Sequence, residues 1–328
     1  MYFGRSRNLQ YKFNASKYFG LEFVGQHRTL LTSKRSIAML DSRSEICEYS
    51  KSFKTDLKTR CIYVRETYMV INGSDDLVVV RPSEDEAKTI LSDAFLAERV
   101  PRCVGNDLVV VTRTNGTIDL LRVDSSSVTP VATSTSSKKI RAVVSAGSFQ
   151  VGSKGYLAVV SSATKKSSHC ISVYEITKTS VNLVSSVFNF KVSGALERVA
   201  FHTDSESLVI FTCLDDSNTC TTFRVRDDSI HEISKQTHEN VIDIMGLDEM
   251  LLVVCETSMS LWSTRFGVML ETDVATKDHS VTCLSRSYAG TCCCLFSRNV
   301  KQLIIEMSTG TKIGYVLDKN AIVIRSLQ

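Results

Sequence analysis

A couple of short apolar runs separated by a few polar residues recurs along the whole of this 328-residue chain. Its clearest copy is Leu108-Val109-Val110-Val111, a turn at Thr114-Asn115-Gly116, then Ile118-Asp119-Leu120-Leu121-Arg122-Val123. Asn-Gly suits the two positive-φ positions of a tight hairpin, so the runs are expected to pair antiparallel. The same couple appears at residues 29–31 with 36–40, 68–71 with 77–80, and 156–160 with 171–174. It continues at 208–212 with 222–225, 251–255 with 258–262, and 291–296 with 302–306.

The couples begin near residues 30, 68, 108, 156, 207, 250 and 291, so the repeat is 38 to 51 residues long. A strand-only unit of that period is the spacing of a β-propeller blade. The reason is burial: a four-stranded blade has two apolar faces, and only its neighbours can cover them. The expected fold is therefore all-β, a seven-bladed β-propeller formed as one domain over residues 1–328. Residues 140–144 and 241–244 read as innermost strands, and 181–190 and 269–274 as outer ones. A last hairpin, 313–317 with 321–326, is expected to close the ring against strands around residues 21–24, so that N- and C-terminal strands share a blade. An incomplete eighth blade is the alternative. Residues 83–100 carry a capping box at Ser83 and Glu86, but blade spacing favours strands at 88–91 and 98–104 over a helix.

Composition supports a large core: 43% of residues are hydrophobic and only three are proline. No stretch approaches the roughly 18 consecutive apolar residues of a membrane helix, and the opening residues Met1 to Arg7 lack the apolar segment of a secretory signal. An intracellular protein is expected, with its 11 cysteines reduced. Cys292, Cys293 and Cys294 are adjacent and cannot adopt a C-x-x-C spacing, and the other cysteines stand alone in apolar text, as core residues do.

Chemistry-bearing patterns are missing. The six histidines form neither H-E-x-x-H nor a Cys/His zinc spacing. Asp75-Asp76, Asp215-Asp216 and Asp227-Asp228 sit among turn residues, where carboxylates satisfy backbone amides. Gly152-Ser153-Lys154-Gly155 lacks the spacing and the following helix of a phosphate loop. No catalytic, cofactor-binding or metal-binding residues are expected, and no small-molecule substrate.

Charge is uneven. Residues 1–60 hold 12 basic and 5 acidic side chains, an excess absent from the rest of the chain. Within them Lys51, Lys54, Lys58 and Arg60 recur at short intervals beside Phe53 and Leu57. They are the candidate site for a phosphate backbone or an acidic partner, including RNA. Trp262, the only tryptophan, is expected to pack between blades.

The stretch Leu251-Leu252-Val253-Val254-Cys255-Glu256-Thr257-Ser258-Met259-Ser260-Leu261-Trp262-Ser263 resembles a divergent WD40 repeat, with Ser263 where the usual aspartate follows the tryptophan. In style, with scant Trp-Asp signal, little proline and a basic start, the chain resembles the propeller parts of U3-associated nucleolar proteins of the small-subunit processome. That resemblance implies a non-catalytic scaffold for other protein subunits in a nuclear or nucleolar complex engaged in ribosome biogenesis. Nuclear-pore and vesicle-coat propellers look similar, which keeps a cytoplasmic location open.

Overall fold

The protein is described from a computed structural model. The described residues are 3–10, 18–24, 28–41, 46–84, 86–135, 142–162, 168–202, 209–226, 229–247, 250–255, 259–263, 269–273, 281–287, 291–297, 302–307, 311–318 and 321–327.

All of the regular structure in them is β. The first strand, β1 (Phe3–Gln10), precedes a run of four-stranded antiparallel meanders. The first comprises β2 (Tyr18–Val24), β3 (Arg28–Ser33), β4 (Ser36–Asp41) and β5 (Ile46–Ser52). The second comprises β6 (Ile62–Val64), β7 (Thr67–Ile71), β8 (Leu77–Val80) and β9 (Lys88–Leu91). The third is β10 (Ala94–Arg99), β11 (Leu108–Arg113), β12 (Ile118–Val123) and β13 (Val128–Ser134). The fourth is β14 (Ala142–Val151), β15 (Lys154–Ser162), β16 (His169–Ile176) and β17 (Val181–Phe190). The fifth follows with β18 (Leu196–His202), β19 (Val209–Asp215), β20 (Thr219–Arg226) and β21 (Ser229–Thr237). The sixth has β22 (Val241–Leu247), β23 (Met250–Cys255), β24 (Met259–Ser263) and β25 (Met269–Asp273). The last sheet starts with β26 (Val281–Ser287), β27 (Thr291–Ser297) and β28 (Gln302–Met307), and continues through β29 (Thr311–Asp318) and β30 (Ala321–Leu327) to β1.

First strands of successive sheets lie side by side: β6 by β10, β10 by β14, then β18, β22 and β26, with β26 against β2. The sheets thus form a ring, and every strand couple read from the sequence is paired in it.

Alternation along the strands makes the ring cohere. In β11 and β12, Leu108, Val110, Ile118 and Leu120 pack toward the fourth sheet. Their neighbours Val109, Val111, Leu121 and Val123 pack toward the second. A strand sends successive side chains to opposite faces, so a strand with a neighbouring sheet on each side needs an unbroken apolar run. Equivalent clusters join the first sheet to the second, the fourth to the fifth and the fifth to the sixth. Each fully buried Val or Leu contributes about 1.5–3 kcal/mol.

The backbone repeats as well. A register shift falls near the start of β2, β10, β14, β18, β22 and β26. A second falls where β5, β9, β13, β17, β21 and β25 pair with the preceding strand. Bulges bend a strand and increase its twist, and here they recur at equivalent places in successive sheets.

Three sequence expectations change in detail. The closing strand is β1, paired from Phe3↔Leu327 to Gln10↔Ala321, while residues 21–24 belong to β2 in the first sheet. As expected, the extra hairpin shares the last sheet with an N-terminal strand, extending it to six strands, and founds no separate blade. At Asn115-Gly116 only Gly116 has positive φ (83°). Arg113 donates its amide to the Thr117 carbonyl, and Asn115 Oδ1 accepts the Thr117 amide, a three-residue hairpin with glycine at its left-handed position. The inner strand expected at 98–104 runs instead over Ala94–Arg99.

Candidate functional site

The segment after β5 carries the four cations expected to bind phosphate or acidic groups. Lys51 is half-buried on β5, opposite Ile37, and Lys54 is exposed in the following loop. Lys58 Nζ lies 2.6 Å from Asp75 Oδ1 in the hairpin tip of the second sheet. Arg60 is half-buried and turns the other way, with Nη2 3.6 Å from Glu98 Oε1 on β10. The structure therefore divides the four: Lys58 and Arg60 face different carboxylates, and Lys54 projects to solvent. Other cations of the basic N-terminal region are also paired, Arg28 with Glu48 at 2.8 Å and both Lys34 and Arg35 with Asp56 at 3.0 and 2.6 Å. Hydrogen bonds from Arg35 and Lys34 hold the Asp56 carboxyl below its usual range. The nearby aromatics, too, are engaged: Tyr49 stacks on Tyr68 at 4.7 Å, Tyr63 leans on the same ring, and Phe53 packs against the core between the first two sheets.

Arg60 leads to a charged cluster that sequence reading missed. Glu22 on β2 is 5% exposed and sits 2.6 Å from Arg99 Nη2 on β10. Glu98 Oε2 accepts the Ser148 amide of β14 at 2.6 Å, and Ser148 Oγ donates to the Arg99 carbonyl at 2.8 Å. Burial pushes the Glu22 carboxyl above its ordinary pKa, while Arg99 and Arg60 pull it down. Charged groups from several sheets converge here, as an active site in a ring of this kind would require. Each carboxylate is nevertheless matched to a guanidinium, so the arrangement clamps first strands together. A similar contact joins Arg198 of β18 to Asp243 of β22 at 3.4 Å. Among the described residues no group of three or more His, Cys, Asp or Glu could hold a metal ion. No described helix is long and apolar enough to cross a membrane.

The carboxylates read as turn residues serve turns where they are described. Asp215 accepts the Gly194, Ser217 and Thr219 amides and the Ser217 hydroxyl, and Asp216 accepts the Ala195 amide. Asn72 Oδ1 caps the amides of Ser74 and Asp76. These tips also grip the next sheet: Ala94 at the start of β10 donates to the Asp75 carbonyl, and Val241 at the start of β22 donates to Asn218 Oδ1. Asp227 and Asp228 lie outside the described residues, as do the side chains of Cys292, Cys293 and Cys294. Gly152 and Ser153 form the two-residue turn between β14 and β15, and Lys154 pairs with Glu175 at 3.0 Å.

Trp262 packs against the cluster between the fifth and sixth sheets, donates Nε1–H to Ser260 Oγ at 2.7 Å, and meets His238 edge-on at 5.1 Å. With Cys220, Thr222, Ser234, Gln236 and Leu251 they line a crevice with room for about one water molecule.

Neither the known protein families nor the curated proteins gave a match to this chain. Among solved structures it is similar to BamB from Moraxella catarrhalis, with a TM-score of 0.57 at 10% identity over 94% of this chain and 82% of that one. The likeness is one of fold, and with the ring of sheets it defines a β-propeller.

Proposed function

We propose that residues 1–328 form a single non-catalytic platform that holds several protein subunits of a larger intracellular complex. One observation carries the reading: the buried carboxylates found on the first strands are spent on joining sheets, Glu22 to Arg99 and Asp243 to the exposed Arg198. What the ring offers to other molecules is then its hairpin tips and its outer strands. A rigid ring is suited to this, because partners docked on different sheets keep fixed relative positions.

We further propose a nuclear or nucleolar complex serving ribosome biogenesis, supported by the resemblance in sequence style. Affinity purification of the tagged full-length chain with mass spectrometry tests both levels. Recovery of small-subunit processome factors is expected. Recovery of coat or nuclear-pore subunits alone would reject the nucleolar placement, and recovery of a single enzyme substrate with no protein subunits would reject the platform itself.

A further inference from the structure

Seven strands end the sheets at their outer edges, and six of them carry a charge or a proline, two of the devices by which proteins protect a free strand from pairing with another chain. Charges interrupt β5 (Glu48, Lys51), β9 (Lys88), β21 (Glu232, Lys235), β25 (Glu271, Asp273) and β1 (Arg5, Arg7), and Pro130 interrupts β13. The exception is β17. Its ten residues, Val-Asn-Leu-Val-Ser-Ser-Val-Phe-Asn-Phe, include no charge and no proline. It also carries Leu183 and Val184, 41% and 47% exposed, the two exposed large hydrophobic residues among those described. It is bulged, as five other outer strands are: Val184 is the extra residue between Leu183 opposite Tyr174 and Ser185 opposite Val173, and a second shift falls between Phe188 and Phe190. Exposed lysines flank the strand, Lys178 in the turn before it and Lys191 just after it.

We infer that β17 is a docking edge for an extended segment of a partner protein, uncharged along its middle and acidic at its ends, which adds to the fourth sheet as a fifth strand. Backbone pairing along the edge supplies the attraction, and alternate apolar side chains of the segment cover Leu183 or Val184. The lysines choose the occupant. A second copy of this chain paired antiparallel on β17 would bring Lys191 of one copy toward Lys178 of the other, whereas acidic ends meet opposite charge at both places. The inference rests on the platform reading and gives it one specific surface.

The test uses the full-length protein and a fluorescent peptide of about eight alternating Val, Thr and Ser residues, the length of one strand, with two aspartates at each end. Two control peptides carry lysine ends or prolines at alternate positions. Fluorescence anisotropy at low salt should show the aspartate-ended peptide binding about three- to tenfold more tightly than the lysine-ended one, and the proline peptide not binding. L183K/V184K, at two exposed positions, should keep the wild-type melting temperature and weaken binding by at least about tenfold. K178E/K191E should reverse the preference between aspartate and lysine ends. Failure of the aspartate-ended peptide to bind, or equal binding of the proline peptide, overturns the inference. So does a sedimenting dimer that L183K/V184K dissolves, because the occupant is then a second copy. Partner recovery by the tagged L183K/V184K chain separates the two levels: partners retained without peptide binding would sink the docking edge and leave the platform standing.

Discussion

Glu22 and Arg99 are held together by the two sheets that carry them, and each is costly without the other. Burying a charge is tolerable only beside an opposite one, so Arg99→Met should cost about 3–5 kcal/mol in urea unfolding, whereas the double change E22L/R99M should recover most of that loss. If both forms are equally unstable, the pair is not what the cluster contributes. Burial also tunes the histidine at the start of β16. His169 is 8% exposed and packs against Phe190 at 5.5 Å, and desolvation lowers its pKa from 6.5. The unfolded chain then binds the proton more readily than the folded one, so stability should fall as pH drops below about 6.5. His169→Phe should flatten that part of the pH–stability curve measured by thermal melting, leaving the smaller slope due to His238, whose pKa is lowered for the same reason. Thiols give a third check. Cys47 and Cys103 are exposed, whereas Cys61, Cys170, Cys213, Cys220 and Cys255 are buried, with Cys220 pushed up to about 12. Alkylation of the native protein at pH 8, read by peptide mapping, should mark Cys47 and Cys103 and spare the other five. The lone-cysteine pattern made core burial legible at those five but did not distinguish Cys47 and Cys103, because a half-apolar outer strand and a loop look much like core text.

Strands differ in how plainly the sequence announces them, and position in the sheet explains the difference. Second and third strands have a neighbouring sheet on both faces, so runs such as Leu108 to Val111 leave little room for another assignment. First strands are shorter of apolar residues and are bent by bulges, which blurs their period; β10 was therefore expected four residues too late. Their glycines mark close approach between sheets. A methyl group added to Gly147 on β14 would collide with the Phe201 ring on β18, so Gly147→Ala should destabilise the protein by about 1–3 kcal/mol in denaturant titration. An unchanged midpoint would mean that the fourth and fifth sheets have more freedom to part than their shared cluster implies. Hairpin tips were legible as turns from Asp, Asn and Gly, yet their hold on the following sheet was not, because the gripped amide comes about twenty residues later. Asp215→Ala removes an acceptor from three amides and should cost about 2–3 kcal/mol. A loss well under 1 kcal/mol in the same titration would show that solvent replaces it.

For the whole molecule, the repeat revealed the ring, since each sheet must lean on the next. What repetition could not disclose is which groups meet across it. Glu22, Arg60, Glu98 and Ser148 lie in three different repeats and the segment between two of them, and no spacing rule connects them. The cation run from Lys51 to Arg60 was visible for the opposite reason, being continuous in sequence, but its partners Asp75 and Glu98 were not. The strand that completes the last sheet was the least visible element, as β1 has few apolar residues and is held by backbone pairing to β30.

That pairing sets an order of events during synthesis. Residues 3–10 leave the ribosome early, whereas the strand they pair with spans residues 321–327. At about 5–20 residues per second, the early segment spends roughly a quarter of a minute to a minute waiting. Six sheets can assemble while it waits, but the circle is fastened only when residues 321–327 reach back to residues 3–10.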